Sequence, residues 1–188
     1  MNAELTIAEQ ASNDIDGWEE YYQKDLKRYA FARGLLDELI PFLPHTLEQF
    51  FKVEGVWDGY GWPPECSDYH LRLVTRPDLP PDDMPLAFGT IVKVAAAMMR
   101  AGWTVGPQPD ITANQEKRAL DVDIKGTRGT TTLILGFLHL PESERCKLVE
   151  TVVDVPARTE TKLKVVCEGQ PLELGAPALQ AAGIEARP

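Results

Sequence analysis

A chain of 188 residues is long enough to bury a core without disulfide staples, and its size points to one decorated domain rather than two. With 19 Lys and Arg against 29 Asp and Glu, a net charge of −10 leaves no basic stripe to displace counterions from phosphates, so neither nucleic acid nor an anionic membrane surface is expected as a partner. The excess lies in one half: 17 acidic and 7 basic residues through Pro85 give −10, whereas 12 of each from Leu86 onward give 0.

The opening residues, MNAELTIAEQASND, have neither the basic region nor the apolar run that directs secretion. No stretch reaches the ~20 apolar residues of a membrane span. Cys66, Cys146 and Cys167 are odd in number and form no CxxC pair, which reads as a reducing, cytoplasmic setting with Cys146 and Cys167 as small hydrophobes.

In chain order, residues 1–15 read as a loose lead-in. Asp16 and Glu19 then stand at capping-box spacing, and Trp18, Tyr22, Leu26, Tyr29, Leu36 and Ile40 recur at helical steps until Pro41. These residues predict one long amphipathic helix whose aromatic stripe faces the core. Thr46 and Gln49 offer a short capped turn, after which Phe51, Val53 and Trp57 alternate with polar residues as a strand. Tyr69, Leu71 and Leu73 alternate with His70 and Arg72 as its partner, so VWDGYGWPPECSDYH, residues 56–70, becomes the long connection of a hairpin.

RPDLPPDDMP, residues 76–85, is a linker whose prolines keep it out of a sheet. A buried helix follows, opened by Pro85, closed by Gly102 and striped by Ala87, Ile91, Val94, Met98 and Ala101. Leu120, Val122 and Ile124 point inward from the next clear strand, with Asp121, Asp123 and Lys125 outward. A turn at residues 126–129 returns it through TTTLILGF. LVETVVDV (148–155) and TKLKVVCE (161–168) form another antiparallel pair around PART. The expected architecture is an α+β domain over residues 1–170: a mainly antiparallel sheet of about five to seven strands with two principal helices packed on one face, followed by a mobile or docking tail at 171–188.

The motifs of dinucleotide, P-loop, zincin, hydrolase-elbow and zinc-ribbon proteins are missing, so no cofactor or metal is expected. Cys66 and His70 stand four apart but have no partners at ligand spacing. Three acid–base candidates remain: Asp58, Glu65 and Asp68 in the aromatic loop, His70 beside them, and the Asp121/Asp123 pair on one strand face.

The loop suits binding better than chemistry, with a lid folded back on the nearest core edge as the equal alternative to an interface. Trp57, Tyr60 and Trp62 offer large contact areas at low entropic cost, Gly59 and Gly61 permit tight turns, and Pro63 and Pro64 stiffen the path. Asp58, Glu65 and Asp68 would steer a basic partner. These residues predict a non-enzymatic protein-binding domain: an inhibitor, an immunity-type factor or an assembly subunit, with a homo-oligomer or a viral-particle component as a related possibility. The contrasting expectation is a small-molecule enzyme or ligand carrier with a pocket beneath the loop, using Asp58, Glu65 or His70.

Overall fold

The computed structural model describes residues 4–17, 26–59, 61–114, 116–174, 178 and 180, without the side chains of residues 57, 151, 153 and 162. It is an α+β fold whose described residues include the α-helices α1 (Ile7–Asp16), α2 (Leu26–Leu39), a short α3 (Leu47–Phe50) and α4 (Met84–Arg100). Its strands are β1 (Phe51–Asp58), β2 (Asp68–Thr75), β3 (Thr104–Val105), β4 (Asp110–Asn114), β5 (Ala119–Arg128), β6 (Thr131–Pro141), β7 (Cys146–Val155), β8 (Arg158–Cys167) and β9 (Gln170–Pro171).

The main sheet has six strands in the order β1-β2-β6-β5-β3, with β4 also paired to β5, and β7-β8-β9 form a separate three-stranded sheet. The main sheet is mixed rather than mainly antiparallel. Each hairpin is antiparallel as expected, but the two hairpin systems meet along β2 and β6, which run parallel from Asp68↔Thr132 to Val74↔Leu138. The crossover that joins them contains α4, the kind of connection a parallel pair requires.

The lead-in is a helix. Thr6 Oγ1 accepts the Glu9 N–H at 3.1 Å while Glu9 Oε2 accepts the Thr6 N–H at 2.8 Å, a reciprocal capping box. Ile7, Ala11 and Ile15 bury one stripe of α1. The helix also covers the edge of the sheet: Gln10 Oε1 accepts the Val53 N–H at 2.8 Å and Asp14 Oδ2 accepts the Val56 N–H at 2.6 Å. Strand β1 therefore offers part of its outer edge to side chains instead of to another strand.

Asp16 is the last residue of α1, and its carboxylate accepts from Tyr29 Oη and pairs with Arg33, both at 2.9 Å. Trp18, Glu19 and Tyr22 lie outside the described residues. The buried line of α2 is Ala32, Leu35, Leu36 and Leu39, joined by Arg28, while Leu26 is exposed. The three longer helices do not share one simple layer: α1 follows the β1 edge, α2 approaches the β1–β2 loop, and α4 holds the deepest core positions.

Helix α4 buries Ala87, Phe88, Ile91, Val94 and Met98 and ends at Gly102, whose φ of 91° suits glycine. Gly126 lies inside β5 rather than in the turn, which falls at Gly129. A Cβ on Gly126 would stand 2.6 Å from Met98 Cε and 3.2 Å from Trp103 Cβ, so the missing side chain lets β5 approach the end of α4.

Cys146 and Cys167 face each other across β7 and β8 and are joined by a disulfide, so they are a cross-link at the root of the ribbon rather than two separate hydrophobes. The tail docks as far as it is described: β9 pairs with β8, the Leu174 N–H reaches the Pro107 carbonyl, and Leu174 and Ala178 are buried. Among the described residues, no helix is long and apolar enough to cross a membrane.

Candidate functional site

The β1–β2 loop is tied down on several sides. At its entrance Asp58 and Tyr69 face each other in the strand register, and the Gly59 N–H donates to the Asp68 carbonyl at 2.8 Å. Asp58 is a buried support rather than a surface charge. Its side chain is fully covered and pairs at 3.4 Å with Arg28 Nη1, while Arg28 Nη2 donates to the Gly61 carbonyl at 2.7 Å. The Gly61 N–H donates to Ser67 Oγ at 3.0 Å, and Tyr69 Oη donates to the Pro64 carbonyl at 2.8 Å. From the next hairpin, the Thr130 and Thr131 hydroxyls both donate to the Glu65 carbonyl, at 2.9 and 2.6 Å.

Gly61 is required by space. An added Cβ would lie 2.5 Å from the Cys66 carbonyl oxygen and 2.8 Å from Ser67 Cα, both rigid backbone atoms. Between these ties and the cis Trp62–Pro63 bond, the Trp62 indole stands 68 % exposed. Glu65 and Asp68 are exposed beside it. Position 57 pairs with His70 in the register, but its side chain and all of Tyr60 lie outside the described set. Of the residues expected to bind, Trp62, Glu65 and Asp68 are therefore the described ones that the loop presents to solvent, with Pro63 and Cys66 exposed among them, on a framework supplied by Arg28 and Asp58.

A second cluster lies on the sheet face bearing the even-numbered residues of β2. Tyr69, Leu71 and Leu73 are buried on one side, while His70 and Arg72 are half-buried on the other. Strand β6 sits between β2 and β5, pairing Gly136 with Arg72 on one side and Asp123 on the other. A Cβ at Gly136 would lie 2.9 Å from Asp123 Oδ1 and 3.4 Å from Arg72 Cγ, so both side chains lean over the space left by the glycine.

Two candidates that stand 53 residues apart in sequence, His70 and Asp123, are thus brought to one face with Arg72 between them. Burial pushes the Asp123 carboxyl above its ordinary value, helped by Asp110 and Asp121 and opposed by Arg72 and His70. Burial, followed by the charge of Arg72, holds the His70 imidazole below its ordinary value, with Asp68 and Asp123 pulling the other way.

Asp121 acts on Asp123 through its charge, but its own carboxylate is engaged elsewhere. Its carboxylate accepts the backbone N–H of His139 at 2.9 Å, where β6 adopts a φ of 60° beside a register shift in β5. Strand β5 itself lies inside the sheet, flanked by β6 and by the β3/β4 pair. Among the described residues, no group of three or more His, Cys, Asp or Glu is placed to hold a metal ion. No protein-family model, curated protein or solved structure matches the chain.

Proposed function

We propose that the chain is a non-enzymatic protein-binding domain, an inhibitor, immunity-type factor or assembly subunit, that offers Trp62 as an anchor to a protein partner. The supporting observation is the 68 % exposed indole on a backbone fixed by Arg28, Ser67, Tyr69, Thr130 and Thr131. A large apolar side chain held outward on a stiff loop loses little conformational freedom on binding. Glu65 and Asp68 beside it, with the acidic first half of the chain, favour a basic partner surface whose attraction weakens with salt. A cytoplasmic location belongs to this reading, and under reducing conditions Cys146 and Cys167 would face each other there as thiols.

The test is capture of partners from the native cell with wild-type, Trp62→Ala and Gly61→Ala chains, each checked by circular dichroism. The expected result is one stoichiometric partner whose affinity falls at least thirtyfold on Trp62→Ala, about the 2 kcal/mol of an interface anchor. Gly61→Ala should cause a similar loss by displacing the loop. Unchanged capture by both folded variants would remove the basis for this reading.

The cluster of His70, Arg72 and Asp123 favours a second reading, a small-molecule enzyme or ligand carrier that uses this sheet face rather than a pocket beneath the loop. Its support is the convergence of a desolvated imidazole and a desolvated carboxyl on one surface. Loss of a turnover or ligand-binding signal in Asp123→Asn, with partner capture intact, would favour it over the first.

A further inference from the structure

Two depressions flank Leu5 at the start of α1. The first, of about 390 Å³, runs between α1 and the end of α2, with Leu5, Ala8, Ile40 and Pro41 among its lining and Glu9 and Asp37 at its sides. The second, of about 520 Å³, carries Glu4, Glu48 and Asp78. Among the described residues that line the two depressions, Arg76 is the one cation, and it is engaged by Glu4 at 2.6 Å and by the Glu48 carbonyl at 2.6 Å. Leu5 is 47 % exposed at their junction. Together they form an acidic groove with an apolar floor, and its complement is a surface that combines cations with small apolar side chains.

The ribbon formed by β7 and β8 has such a surface. Its register pairs Lys147 with Val166, Val149 with Lys164 and Val155 with Arg158, which puts three cations and three valines in alternation on one face. Glu150 and Asp154, paired with Leu163 and Thr159, fall on the opposite face. The one described acid on the basic face, Glu160, is bound by Arg158. Lys147 and Arg158 are exposed, as is Val149 at 40 %.

We infer that the α1 groove of one copy receives the basic face of the β7–β8 ribbon of a second copy, with Val149 over the Leu5 floor and Lys147 and Lys164 against the carboxylates. Both complementary surfaces are present on the same chain and therefore at the same concentration. Groove and ribbon are different surfaces, so the contact is heterologous and the copies associate head to tail, closing a ring or extending as a filament. It shares no residue with the Trp62 loop, and the two readings stand or fall separately.

Sedimentation of the full chain over a range of concentrations tests this. The expected result is a mass that rises with concentration at low salt and returns to that of a monomer at about 0.5 M salt. Lys147→Glu/Lys164→Glu and Glu9→Lys/Asp37→Lys should each weaken association by about tenfold or more, and mixing the two variants should restore it because the reversed charges again match. A wild-type chain that stays monomeric at every concentration overturns the inference, as does an equimolar mixture of the folded variants that fails to associate. If the paired substitutions unfold the chain, Val149→Ser decides: unchanged association would sink the proposal. Loss of a foreign basic protein from the groove variants of a monomeric chain would assign the groove to another occupant.

Discussion

Arg28 links helix α2 to the display loop, pairing with a carboxylate that has no exposed surface and donating to the Gly61 carbonyl. Removing the cation strips Asp58 of a buried counter-charge, whereas removing both charges leaves a site that apolar side chains can fill. Arg28→Met should cost about 3–5 kcal/mol in urea denaturation, and Arg28→Met/Asp58→Leu should recover most of that loss. A single-variant cost below about 1 kcal/mol would show that the pair does not hold the loop.

His70 gives a second residue-scale expectation. Its folded pKa lies below its ordinary 6.5, so the unfolded chain takes up the proton first as the pH falls. The contribution of His70 is fully present above about 6.5 and is lost as the pH drops through the folded value. Relative to His70→Gln, the wild-type chain should therefore lose stability on acidification in that window. A stability difference between the two that does not vary with pH would contradict the desolvated placement of the imidazole. Asp123 has the opposite sign: its raised pKa gives a contribution that is present in acid and fades as the pH climbs through the folded value.

Among the elements, α1 protects the β1 edge through Gln10 and Asp14. Asp14→Ala should leave the Val56 N–H without that acceptor and cost about 1–3 kcal/mol, while Asp14→Asn keeps an acceptor oxygen and most of the stability. Denaturation midpoints measure the cost, and light scattering at the same concentrations reports whether the opened edge recruits other chains. Equal midpoints for wild type and Asp14→Ala would count against edge protection.

Helix α1 was missed, and residues 1–15 read as a loose lead-in, because an Ile7, Ala11, Ile15 stripe among polar neighbours carries too little apolar signal to stand out. The hairpins were legible because alternation on both arms and a turn between them are local features. The parallel β2–β6 pairing joins strands more than 60 residues apart and leaves no mark on either, so the mixed sheet and the meeting of His70 with Asp123 could not be read. Asp58 looked like turn chemistry beside Gly59 because the partner that buries it lies 30 residues upstream on a helix. Gly and Pro on either side of Trp62 marked a constrained backbone, but whether its ring turned outward or folded back as a lid depends on contacts from Arg28, Thr130 and Thr131 that lie far away in the sequence.

At the scale of the whole molecule, the uneven charge seen in the sequence acquires a spatial form. The acidic half supplies the groove at α1 and the rim of the Trp62 loop, while the neutral half supplies a ribbon with a basic face. Self-association and partner binding would therefore both weaken with salt, and only substitution distinguishes them: Trp62→Ala acts on the partner, Lys147→Glu/Lys164→Glu on the second copy. The cross-link at the ribbon's root has its own consequence. Its two sulfurs close a covalent ring around everything from Lys147 to Val166, so one peptide bond cut near Pro156 would open the tip without releasing either arm. In its oxidised form the ribbon is an eyelet that survives a single nick, and only a reductant would let the severed piece, with the rest of the C-terminus, come away by unzipping.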